Sequence, residues 1–248
     1  MSLSIYQHKD IHQFNQAIGK QAAALIRLSL VSAGHTTLII SSEPELEGVL
    51  SFLSASEGID WSKVTVFSVS DFLGVAHSSR LSLQNDLHRK LLAQKPALST
   101  KALINGEGVP SSEVTRLSFL INQQTIDLAL ISPGETGTLG FLESASSELS
   151  TIDGYSLCEP SDTIRKSFVQ RNRFKSINEV PQRGITLSAK SILRAKNILC
   201  CIEGTRKSGV AHLLNDGLKT DAPVGALKNH PALHVHLGPS ISDNPLTS

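Results

Sequence analysis

Short apolar or β-branched runs alternate with stretches of helical period along the whole chain, the pattern of parallel strands joined by crossover helices. The spacing of Ile11, Phe14, Ala17, Ile18, Ala22, Leu25 and Ile26 predicts a helix that ends within Ser29 to Gly34. Thr37 to Ile40 then reads as a buried strand, Pro44 to Ser56 as a second helix, and Lys63 to Phe67 as a second strand. Helices are expected over Leu81 to Leu92 and Ser112 to Gln123. The run Ile126 to Ile131 is the most apolar strand of the first half and belongs near a sheet centre. A polar, glycine-bearing loop from Ser132 to Gly140 opens a Ser- and Thr-rich stretch reaching Asp162, which reads as a long excursion over the functional face. The alternation returns with strand Ile185 to Leu187, helix Ala189 to Ala195, strand Ile198 to Ile202, helix Arg206 to Leu214 and strand Ala232 to Leu237. The expected fold is a three-layer α/β/α, Rossmann-like domain with a mainly parallel sheet. It occupies residues 1–248 as one unit, with 239–248 as a loose tail.

Charge narrows the function classes. The 23 Lys and Arg against 22 Asp and Glu leave a net charge of +1. The basic residues are scattered, so no nucleic-acid footprint appears. No apolar stretch is long enough to span a bilayer, and Met1 to Asp10 lacks the basic and apolar regions of a leader, so membrane association is not expected. Three cysteines, two of them vicinal in the apolar run Asn197 to Ile202, read as buried strand residues in a reducing compartment, which makes the protein cytoplasmic. There is no Gly-Lys-Ser/Thr and no dinucleotide fingerprint. His234 and His236 share a strand face, either as a metal pair or as strand-edge residues. No cofactor or metal is implied.

In open parallel sheets, ligands sit beyond the carboxyl ends of the strands. That rule selects Ser41 to Pro44, Ser68 to His77, Ser132 to Glu143 and Gly204 to Lys207. Ser70-Asp-Phe-Leu-Gly-Val75 resembles the Asp-Glu-Tyr-Val-Gly-Leu motif of the glucosamine-6-phosphate deaminase and 6-phosphogluconolactonase superfamily. Gly134-Glu-Thr-Gly-Thr-Leu-Gly-Phe-Leu-Glu143 is similar to its central Gly-x-Asp-Gly-His-Ile-Ala-Phe-Asn-Glu loop. Val180 to Leu187, Gly204-Thr-Arg-Lys207 and Pro223 to His230 resemble its Val-Pro strand, Gly-x-x-Lys loop and final helix. The resemblance covers nearly the whole chain in order and leans towards the amino-sugar phosphate deaminases, including the galactosamine-6-phosphate type, ahead of the lactonases.

The resemblance implies a small-molecule sugar phosphate as ligand, an isomerase/deaminase or a hydrolase activity, and definite roles for particular positions. Phosphate would be held by Ser41 and Ser42 before the second helix, by Lys207, and by an upstream arginine, Arg171 or Arg173. Glu43 stands where the family has threonine and would repel phosphate; Ser42 reads equally well as a helix cap. The family's proton-transferring base falls on Ser70, its ring-opening histidine on Thr138, and an aspartate beside that histidine on Thr136. All three are replaced, and a lone hydroxyl cannot shuttle a proton near neutral pH. Glu143 occupies the position of the histidine's acid partner, or is a surface glutamate. Asp71 could substitute as base only if turned inward; otherwise it caps a turn. Three readings follow: an active sugar-phosphate deaminase with a shifted base, a lactonase, or a non-catalytic sugar-phosphate binder or protein-interaction homologue. Oligomeric state stays open.

Overall fold

The computed structural model describes residues 4–95, 102–214 and 219–241. Its elements in order are β1 (Ser4–Gln7), α1 (Ile11–Ala33), β2 (Thr36–Ile40), α2 (Glu47–Ser54), β3 (Val64–Ser68), β4 (Ser70–Phe72), α3 (Leu83–Lys90), α4 (Pro110–Asn122), β5 (Leu128–Ile131), α5 (Glu148–Thr151), β6 (Tyr155–Cys158), α6 (Asp162–Gln170), β7 (Gly184–Leu187), α7 (Ala189–Ile192), β8 (Asn197–Ile202) and β9 (Leu233–Leu237). Six strands form one all-parallel sheet in the order β1-β9-β8-β5-β2-β3. The α/β/α architecture read from the alternation is therefore present, and the apolar run ending at Ile131 is a central strand.

Alternation of side chains sorts the sheet's residues onto two cores. Ile39, Ala129 and Ile198 stand in register across β2, β5 and β8 and face one cluster, with Leu117, Ile121 and Ile192 packed over them. Leu38, Leu128 and Leu199 face the opposite cluster, roofed by Phe14, Ile18, Ala22 and Ile26 of α1. Those α1 residues are among the ones the helical period marked, of which Ile11 is exposed. Asp10 caps α1 by accepting from the Gln13 amide, and Gly34 ends it at φ 74°, the left-handed conformation glycine adopts without a Cβ clash.

Several elements depart from the expectation. The strand Ile185 to Leu187 does not continue the parallel sheet. As β7 it is the middle of a separate antiparallel sheet, β4-β7-β6, whose other strands lie in the motif after β3 and in the Ser-rich excursion. Residues from this small sheet, Tyr155, Ile185 and Leu187, share an apolar cluster with the large sheet. The helices expected over 206–214 and 223–230 are 3-10 turns, Thr205–Lys207, Ala211–Leu214 and Pro223–Asn229; Gly209 weakens a longer helix in the first of these stretches. Residues 239–241 are ordered against Glu203 and Gly238, and the rest of the expected tail, 242–248, lies outside the described residues. Among the described residues no helix is long and apolar enough to cross a membrane.

The edge strand β1 is held by a ladder of rings. His236 of β9 stacks between Tyr6 and His8, its Nδ1 3.0 Å from His8 Nε2 and its Nε2 2.9 Å from Gln21 Oε1 of α1. Both ring nitrogens are thus occupied, one by His8 just after β1 and one by α1. Burial first, then the neighbouring His8 and His234, push the His236 imidazole from 6.5 down to about 3. The fold favours the neutral ring, so its stabilisation is complete above pH 6.5 and is lost as pH falls from there towards 3. Denaturant titrations across that window are expected to show stability falling with pH, and His236→Gln is expected to flatten that slope.

Candidate functional site

The strand order reverses direction at β2 and β5, so the loops that leave their carboxyl ends diverge and open a cleft. Ser41 ties the two loops together: its Oγ accepts from the Ser132 amide at 2.9 Å. The cleft holds about 220 Å³ and is lined by Glu43, by Gly134 to Thr136, Thr138 and Gly140 of the β5 loop, and by one face of α6 from Thr163 to Arg171. Of the four segments selected from the sequence, two line this cleft, and Gly204 to Lys207 adjoins it from behind, with Arg206 on Glu135 and Lys207 on Ser132. The fourth, Ser68 to His77, leaves the large sheet at Val69 to form β4, and His77 ends beside Leu103 and Asn105 in a different depression.

Charges are tightly paired around this cleft. Lys207, only 2% exposed, places Nζ 3.0 Å from Ser132 Oγ and 3.0 Å from Glu45 Oε2. Arg171 donates to Glu43, lies 3.7 Å from Glu135, and stacks over Phe168. Arg206 Nε is 3.0 Å from Glu135 Oε1. Burial alone would push the Glu43 carboxyl up. The charges of Arg171 and Lys207, the Arg171 hydrogen bond and the charge of Arg173 outweigh burial and hold it below the ordinary carboxylate value. The Glu43 carboxylate therefore stays ionised, bonded by Arg171 and within the field of Lys207 and Arg173. Beside it Ser42 Oγ is buried without a hydrogen-bond partner among the described residues.

The remaining positions marked in the sequence divide clearly. Thr136 and Thr138 line the cleft, and Thr138 packs on Gly134. Ser70 is 7% exposed and lies against Gly140, where a Cβ would come within 3.0 Å of the serine Oγ. Glu143 is exposed and outside the cleft, accepting from Ser161, the N-cap of α6. Asp71 is not turned inward. Its buried carboxylate accepts from Ser82 Oγ at 2.7 Å and from the amides of Phe72, Leu83 and Gln84, so it secures the start of α3. Between the two arginines, Arg171 reaches the cleft and Arg173 turns to Asp86.

Sequence reasoning missed the cleft wall built by α6 and the counter-charges Glu45, Glu135 and Arg206. The helix did carry a signal: Ser161 as N-cap, Asp162 in the first turn, and Ile164 and Phe168 one turn apart. The ion pairs carried none, because their partners lie far apart in the chain.

No protein-family model matches the chain. In sequence the chain is similar to the glucosamine-6-phosphate deaminase of Lysinibacillus sphaericus, 27% identical over 219 residues that span 88% of this chain and 96% of that protein. It is 26% identical over 220 residues to the enzyme of the same name from Listeria monocytogenes, spanning 88% and 91% of the two chains. Among solved structures, a monomeric glucosamine-6-phosphate deaminase superposes with a TM-score of 0.85 at 19% identity, covering 98% of this chain and all of that one. A 6-phosphogluconolactonase from Thermotoga maritima gives 0.77 at 14% identity, covering 96% of this chain and all of the other. The superfamily resemblance drawn from the motif order stands on both comparisons.

The pairing of Glu43 with Arg171 has a measurable consequence. A double-mutant cycle with Glu43→Gln and Arg171→Gln, followed by chemical denaturation, is expected to give a coupling energy of about 1–3 kcal/mol. Additive effects would show that the two side chains do not act on each other.

Proposed function

We propose that the protein binds an amino-sugar 6-phosphate in the cleft at the carboxyl ends of β2, β5 and β8, and that it does not deaminate it. The observation that carries this reading is the Glu43 carboxylate bonded by Arg171 and lying within the field of Lys207, which itself pairs with Glu45, with the unpartnered Ser42 hydroxyl beside it. A phosphoryl group would take the place of that carboxylate, which swings aside. The deaminase name of the sequence relatives supports the sugar class.

Loss of turnover is inferred from the groups that face the ligand space. Aldose–ketose isomerisation needs a group that takes a proton from one carbon and returns it to the next. The positions that resemble the family's base and histidine hold Ser70 and Thr138, and the lining carboxylates Glu43 and Glu135 are engaged by arginines. Asp71 is occupied by α3 and Glu143 by Ser161. Lactone hydrolysis meets the same obstacle at Thr138.

Glu43 is then the residue that weakens the site. Two like charges about 4 Å apart at an effective dielectric of about 20 repel by about 4 kcal/mol, against about 1.4 kcal/mol for a tenfold change in affinity. Calorimetric titration with glucosamine 6-phosphate is expected to show binding that is lost in Lys207→Met and Arg171→Gln and is tightened at least about tenfold in Glu43→Thr. A coupled ammonia assay is expected to stay at the blank rate. Ammonia release that disappears in Lys207→Met would overturn the non-catalytic reading, and failure of both wild type and Glu43→Thr to bind would overturn the ligand.

A further inference from the structure

Behind Arg171 lies a second, larger cleft of about 430 Å³, between the start of α3 and the end of α6. Four guanidinium groups line it, those of Arg80, Arg89, Arg171 and Arg173, and one carboxylate, Asp86. Asp86 pairs with Arg89 at 3.0 Å and with Arg173, while Arg171 is held from its other side by Glu43. No carboxylate among the described residues pairs with Arg80. Arg171 also shares Glu135 with Arg206, so among the described residues Asp86 faces the other three cations and Arg80 has no counter-charge. We propose that this cleft is a second binding site, separate from the cleft at the sheet end, for a small phosphate-dense polyanion.

The walls are fixed in advance of any ligand. Helix α6 ends in a Schellman turn: the Arg173 amide bonds to the Phe168 carbonyl and the Asn172 amide to the Val169 carbonyl, with Asn172 at φ 57°. That turn lets Arg171 and Arg173 leave the helix end within reach of the same space. Arg173 Nη1 then donates to the carbonyls of Arg80 at 3.1 Å and Ser82 at 3.2 Å, fastening the helix end to the segment before α3. Ser82 is itself held by the buried Asp71. The carboxylate that never reaches the first cleft thus anchors a wall of the second.

The lining also defines the ligand. Guanidinium forks bind phosphate oxygens two at a time, which suits Arg80 and Arg89, both exposed and at the rim. The amide of Asn172 adds a neutral polar group. Among the described residues Leu81 is the one apolar residue of the lining and no aromatic ring faces the space, so a nucleobase or an acyl chain finds nothing there to pack against. The volume is that of a small-metabolite site.

Inorganic pyrophosphate is the probe. Isothermal titration of the full chain in metal-free buffer at neutral pH is expected to show binding to the wild type. The affinity is expected to fall at least about tenfold in the Arg80→Ser/Arg89→Ser double variant and to persist in Lys207→Met. Arg80 and Arg89 are exposed, so their truncation leaves the core intact, and circular dichroism checks this. No binding at millimolar pyrophosphate would overturn the site, as would unchanged affinity in the double variant. Binding abolished by Lys207→Met and untouched by Arg80→Ser/Arg89→Ser would assign the anion to the sheet-end cleft and equally overturn it.

Discussion

A parallel sheet buried on both faces leaves one place for chemistry, the edge where its strands end. In β2, β5 and β8 the apolar side chains of both faces are committed to the two clusters and the polar ones, Thr36, Thr37 and Asn197, lie at the opposite, amino ends of the strands. What remains is the set of loops leaving those strands, and the reversal of strand order at β2 and β5 drives two of them apart. Ser41 joins the two at the point of divergence, its amide bonded to the Leu130 carbonyl and its Oγ accepting from the Ser132 amide. The orientation of Lys207 depends on the same junction, since its ammonium group is held by the Ser132 hydroxyl.

Within that frame the functional edge is electrically self-contained. Arg171 and Lys207, both buried, are matched by Glu43 and Glu45, and the half-exposed Arg206 by Glu135. Burying an ammonium or a guanidinium without a counter-charge is costly, so the carboxylates make the cluster tolerable inside the fold. They also set its selectivity, because an incoming anion gains only the difference between its own contacts and those it displaces. In the proposed reading, Glu43 has to move before a phosphoryl group can take its place.

The sequence made the large sheet legible because its strands are unbroken apolar runs, and a run such as Leu128 to Ile131 has no other stable fate than a sheet centre. Helix α1 was legible from its period. The small sheet was not: β4 and β6 are three and four residues of mixed polarity, strands only because β7 lies between them. The same applies to β1, whose four half-exposed residues are fixed by rings from β9. Strand ends and motif order pointed to Ser41, Ser42, Thr136, Thr138 and Lys207 as one region, left Arg171 and Arg173 as alternatives, and also pointed to Glu143, which lies outside the cleft. What each touches could not be read from them. That Glu43 faces Arg171 across 128 residues is a property of the packing alone.

Asp71 shows how far a residue's neighbours decide its use. Burial pushes its carboxyl up, and the bonds from the Leu83 amide, the Ser82 hydroxyl and the Phe72 and Gln84 amides oppose that without cancelling it. A raised carboxyl is a property expected of a catalytic base. Here, however, every bond it accepts comes from its own strand or from the start of α3, and none of its oxygens is directed into the sheet-end cleft. A perturbed titration therefore marks structure in this case, and the distinction rests on where the donors lie. Through Ser82 and Arg173 the same carboxylate braces the end of α6, the helix that forms a wall of both clefts. The geometry of two charged sites thus traces back to one buried acid that enters neither.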